Sequence, residues 1–127
     1  MSVDADSKVN GARTTYTMTF APNVPVEKND KMVVRFPEQI GLPDGLVDCQ
    51  GERRYINLIR CYKRTDNMLE IQFIEVEEML PSNPFWVTVA DVRNPYSTAP
   101  TDPFDEVIMK NYASREISKY EGPDVIV

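Results

Sequence analysis

The side chains able to do chemistry in this chain are two cysteines, Cys49 and Cys61, and a scatter of carboxylates; histidine is absent. Without histidine the commonest general base and the commonest metal ligand are both missing, so no Ser-His or Cys-His pair can be assembled. Nor can two cysteines complete a four-ligand zinc site with no histidine to help. By spacing, the two thiols suit either a local disulfide in an oxidising compartment or a pair of reduced, buried thiols in a cytosolic domain. Spacing does not choose between them. Carboxylates lie close in sequence at Asp102 and Asp105 and at Glu77 and Glu78. A glycosidase-like dyad needs its two carboxyl groups across a cleft, and a compact chain of 127 residues leaves little room for one. No glycine-rich phosphate loop is present either. The chain reads as a non-enzyme with no catalytic residue.

Calcium is the one cofactor the residue types admit. Asp91, Asn94, Asp102, Asp105 and Glu106 gather around one end of a sheet by the strand assignment below, and calcium takes several oxygen ligands from such loops. No acidic motif of the EF-hand kind appears, so solvated surface charge is the simpler account and no metal site is assigned.

The elements that would position these groups are strands. Thr15 to Phe20 alternates, with Tyr16, Met18 and Phe20 on one face and threonines on the other. Lys31 to Phe36 repeats the pattern, with Met32, Val34 and Phe36 inward and Lys31, Val33 and Arg35 outward. Tyr55 to Lys63 and Met68 to Ile74 form a hairpin about the polar turn Arg64 to Asn67. Glu75 to Leu80 reads as a loop or a single helical turn. Phe85 to Val92, Phe104 to Tyr112 and Glu116 to Tyr120 are further strands. Trp86 shares a face with Thr88 and Ala90, opposite Phe85, Val87 and Val89. That leaves it either covered, by the N-terminal strand or a neighbouring domain, or exposed as a contact residue; burial is the expectation. Short strands at regular spacing predict an all-β, immunoglobulin-like antiparallel β-sandwich of seven to eight strands.

Ten prolines against five glycines stiffen the loops and make long helices improbable. Residues 1–127 form a single domain by size, with 1–8 and 122–127 as linker-like ends. Met1 and the apolar end Val125-Ile126-Val127 read as the limits of a piece excised from a longer chain. A net charge of -6 serves solubility and makes nucleic acid and anionic membrane poor partners. No run is long and apolar enough to insert in a membrane.

Val9-Asn10-Gly11-Ala12-Arg13-Thr14-Thr15-Tyr16-Thr17-Met18-Thr19-Phe20 reads as vGa-x-x-x-Y-t-x-t-F, which is similar to the opening of Ig-like repeats of very large surface proteins in ciliates and other protists, with similar ones in bacterial adhesins. Lys31 to Pro37 resembles their x-I-x-I-x-F-P strand, although the linker before it, Val24 to Asp30, has polar residues in place of glycines. The paired cysteines follow, and then Val92-Arg93-Asn94-Pro95-Tyr96-Ser97-Thr98, like the segment gI-x-N-P-x-S-T. Asp102-Pro103 departs from the small polar residues usual before the next strand. The resemblance covers roughly residues 9 to 112.

The resemblance implies a Cys49–Cys61 disulfide and an extracellular or cell-surface location. It also implies a structural repeat module whose partners are neighbouring domains or copies of the same protein. The alternative is an adhesin module that grips a glycan or protein through its end loops, with Tyr96 and Tyr62 as the aromatic candidates beside Trp86. Pro22, Pro37 and Pro84 bound strands and discourage pairing at sheet edges, so contacts are expected at the ends.

Overall fold

The alternating segments pair into two antiparallel sheets. The computed structural model describes residues 2–22, 25–77, 83–96, 104 and 107–111, and the backbone alone of 116–120. The strands are β1 (Ser2–Ala5), β2 (Arg13–Phe20), β3 (Lys31–Arg35), β4 (Leu46–Val47), β5 (Cys49–Gly51), β6 (Ile56–Arg64), β7 (Met68–Val76), β8 (Phe85–Arg93), β9 (Val107–Lys110) and β10 (Glu116–Tyr120). The order is β1-β2-β8-β5 in a four-stranded sheet and β10-β9-β3-β7-β6-β4 in a six-stranded one. No described helix is long and apolar enough to cross a membrane. The protein is an all-β sandwich.

Burial follows the period of two. Tyr16, Met18, Phe20, Phe85, Val87 and Val89 of one sheet meet Met32, Val34, Leu69, Ile71, Phe73 and Met109 of the other in one core. The sheets touch through Phe73 and Phe85, whose rings stand edge to face with centroids 5.9 Å apart. β2 pairs with β8, and β10, β9 and β3 lie in a row. Between β3 and β8 the chain visits the outer positions β4 and β5 before the β6–β7 hairpin.

Several local expectations change. Ten strand segments form among the described residues, since β1, β4 and β5 are too short to show alternation. Ser2–Ala5 is a sheet strand and not a linker: it pairs with Tyr16 to Thr19, and Ala5 is buried in the core. Glu75 and Val76 extend β7, because Ile56 and Leu58 of β6 continue the ladder beside them. Val33 is buried although it lies on the outer face, where Glu70 and Ile108 flank it. Phe104 precedes β9 and packs edge-on to Phe36 at 4.9 Å. Residues 78–80 and 122–127 lie outside the described residues.

Near the end of β8 the register slips, so that Thr14 faces Val92 while Tyr16 faces Val89. Asp91 takes the left-handed φ of 58° in this bulge. The slip brings Val92 and Asn94 inward. Asn94, only 4% exposed, accepts the Tyr16 hydroxyl proton at its Oδ1 (2.7 Å) and donates from Nδ2 to the carbonyls of Ser7 (2.7 Å) and Val9 (3.0 Å). The N-terminal segment is thereby tied to the end of β8. Burial pushes the Tyr16 phenol up to about 12, against a smaller opposing pull from the Arg93 charge.

This shift has a sign. The folded protein keeps Tyr16 neutral at a pH where the unfolded chain, titrating near 10.0, has ionised. Stability from this group is therefore complete below pH 10, declines above it, and is lost as pH passes about 12. The difference between the parent and Tyr16→Phe in urea-unfolding free energy should change by on the order of 2 kcal/mol between pH 9 and pH 12. Parallel curves for the two proteins across that range would contradict the assignment.

Candidate functional site at the disulfide corner

The chain changes sheets at Asp48. Before it, Leu46 pairs with Tyr62 and Val47 with Cys61 at the edge of the six-stranded sheet. The Asp44-Gly45 turn sets this register: Gly45 takes a φ of 71°, its carbonyl accepts the Lys63 amide at 2.9 Å, and Lys63 Nζ lies 3.1 Å from the Asp44 carboxylate. After it, the Asp48 carbonyl accepts the Ala90 amide at 2.9 Å, and Cys49 to Gly51 pair with Val89 to Val87 of the four-stranded sheet. The Glu52 amide then donates to the Trp86 carbonyl at 3.0 Å. Gly51 packs so closely on Ile56 that a methyl there would overlap it.

This crossing sets Cys49 above Cys61, and the two form a disulfide with Cα atoms 6.2 Å apart. The bond joins β5 of one sheet to β6 of the other. It is a staple between layers, set where a single chain closes one side of the sandwich.

Beside it lies a groove. Two adjoining hollows of about 240 and about 580 Å³ share Cys49, Leu58 and Ile59 as walls. Arg53 and Asn57 lie toward one end, Leu46, Arg60 and Tyr62 toward the other. Leu46 and Leu58 are 68% and 44% exposed, unusual for leucines on strands. The side chains of Arg53 and Arg60 have no hydrogen-bond or ion-pair partner among the described residues, whereas Arg54 pairs with Glu52 and Arg64 with Glu70.

The outer face of the six-stranded sheet runs up to this groove and is cationic. Cross-strand register sets Lys110, Lys31, Gln72 and Arg60 in one row and Arg35, Met68 and Arg64 in another. Between them run Ile108, Val33, Glu70, Tyr62 and Leu46. Glu70 is the one carboxylate among these residues. Partial burial disfavours its charge, but hydrogen bonds from Arg64 and Gln72 and the charges of Arg64 and Lys31 outweigh that and hold its pKa below the usual value.

The residues singled out in the sequence separate. Tyr62 is on the groove rim with the Arg64 guanidinium 4.7 Å from its ring centroid, in mid-strand and not in an end loop. Tyr96 is 74% exposed at one pole, but its ring already packs on Gly11 and receives the Arg93 guanidinium at 4.3 Å. Trp86 is not buried: it stays 36% exposed on the outer face of the four-stranded sheet, because β1 adds beside β2 and does not cover that face. The Asn94 side chain is buried, and its oxygen accepts the Tyr16 hydroxyl in the interior. Asp91 is exposed at the bulge, where its carbonyl accepts Arg13 Nη1 at 3.1 Å. Asp102, Asp105 and Glu106 lie outside the described residues, among which no group of three or more metal-type side chains gathers. The prolines Pro22, Pro37 and Pro84 flank β2, β3 and β8, all interior strands, so they guard no edge.

Comparison with family models, curated proteins and solved structures gave no match. Function must be read from the corner itself.

Leu46, Leu58, Arg53 and Arg60 escaped the sequence reading. One signal was present: Leu58 and Ile59 are adjacent apolar residues in a strand, so one of them has to face out. The register of β6 slips on both sides of Leu58, and Leu58 is the one turned outward. Chemically the groove offers apolar surface, two guanidinium groups, the Asp48 carboxylate and strand backbone. These are means of binding.

A bond closing a loop of this length contributes roughly 3 kcal/mol by the chain-entropy model. The double variant Cys49→Ser, Cys61→Ser should therefore unfold at a lower urea midpoint, with a loss near that figure and a folded state at neutral pH. An unchanged midpoint would show that the corner is held by strand pairing alone.

Proposed function

We propose that this chain is a non-catalytic structural or adhesive module of an extracellular or cell-surface protein, acting through contact with neighbouring domains or copies. The observation that carries the reading is the Cys49–Cys61 bond between the two sheets. Disulfides persist in oxidising compartments, and one placed between layers resists separation of the sheets, as suits a domain that must survive outside the cell. Resemblance of the Val9–Phe20, Lys31–Pro37 and Val92–Thr98 segments to surface-protein repeats points the same way. Calcium is not needed for this role.

A module that grips a glycan through end-loop aromatics is the second reading. It has less support, because the ring of Tyr96 is already engaged by Arg93 and Gly11 and Tyr62 is not in an end loop. Contact with polypeptide is favoured by the exposed leucines of the groove.

Antibody against the folded domain, applied to intact cells of the source organism, should label them without permeabilisation. The domain recovered from those cells and alkylated before reduction should carry no alkyl group on Cys49 or Cys61. Labelling only after permeabilisation, together with two alkylated thiols, would move the protein indoors and end this reading.

A further inference from the structure

We propose that the edge of β6 from Asn57 to Arg60 accepts an extended polypeptide segment as an added strand, and that this segment alternates apolar and acidic residues. The proposal deepens the contact-module reading and rests on it.

The vacancy comes from the crossing. β6 has nine residues, but its neighbour β4 has two and meets only Cys61 and Tyr62. Had the chain run on past Val47, it would have covered the remainder of β6. Instead Cys49 to Gly51 are drawn into the other sheet by pairing with β8 and held there by the disulfide. Among the described residues no strand is paired with Asn57 to Arg60 on that side, while the Ile56 amide already donates to the Glu52 carbonyl at 2.8 Å. Each such edge presents backbone donors and acceptors to a visiting strand. The hollow that remains is in line with β4, and a strand rises about 3.4 Å per residue, so four or five residues fit along it.

The walls fix the chemistry of the visitor. Alternate side chains of an added strand point to opposite faces of the sheet. On the inner side they meet Ile56, Ile59 and Cys49, which ask for apolar residues. On the outer side they meet Arg60, with Arg53 at the end of the groove, and neither side chain has a partner among the described residues. The cationic rows of the six-stranded sheet extend the same field. Carboxylates therefore complement that side and lysines do not. No proline interrupts β6.

The test uses the full chain, labelled with nitrogen-15, and acetylated, amidated octapeptides as probes. An alternating valine–glutamate peptide should shift the amide resonances of residues 46–51 and 56–60 and leave those around Trp86 in place. An alternating valine–lysine peptide should not bind. Methylating every second peptide nitrogen, in both registers in turn, should abolish binding in one register, since a strand pairs through alternate amides. Arg60→Glu, with Arg53→Glu as a second variant, should weaken the acidic peptide about tenfold or more and admit the lysine peptide, with the remaining spectrum unchanged. Equal binding of both methylated peptides, shifts centred elsewhere, or indifference to both charge reversals would each overturn the proposal. So would dimerisation without peptide that Arg60→Glu abolishes, which would make a second copy the occupant. Binding is read in solution and the compartment on cells, so this inference and the broader reading fail separately.

Discussion

One chain crossing organises the molecule. Between Val47 and Cys49 the backbone leaves the edge of the six-stranded sheet and joins the edge of the four-stranded one. The crossing lets two layers be closed on that side by a single chain, and the Cys49–Cys61 bond holds it. Its consequences reach outward. β5 covers the core end near Ile56, Gly51 has no room for a side chain, and β6 keeps a length of edge without a neighbour among the described residues. A sandwich without this diversion would have a longer β4 and no groove.

Charge is distributed as unevenly as the edges are. The chain as a whole is acidic, with a net charge of -6. Yet the outward strand positions of the six-stranded sheet hold Lys31, Arg35, Arg60, Arg64 and Lys110, while Glu70 and Glu75 are the carboxylates beside them among the described residues. A net value therefore misleads about partners. Acidity in the loops keeps the domain soluble, while one face carries a field of the opposite sign.

Much of the core was legible from alternation. Tyr16, Met18 and Phe20, Leu69, Ile71 and Phe73, and Phe85, Val87 and Val89 all point inward as a period of two requires. What alternation could not show was which strand neighbours which. Trp86 was expected under cover, and only the placement of β1 beside β2 leaves it exposed. Asn94 looked like a ligand by type; a register slip at Asp91, invisible in composition, turns it inward to Tyr16. The groove depends on β4 and β5, segments of two and three residues that carry no periodic signal. Sites built from such fragments are set by long-range pairing, and local pattern does not reach them.

The disulfide holds the sheet crossing in place. Native-state hydrogen exchange on the Cys49→Ser, Cys61→Ser variant tests it most directly. The reporters are the amides of Ala90 and Glu52, which bond to Asp48 and Trp86 across the corner, set against Met18 and Ile71 in the central strands. The corner amides should lose protection through local opening while the central amides exchange only by global unfolding. Corner amides that remain as protected as Met18 and Ile71 once the bond is gone would contradict it.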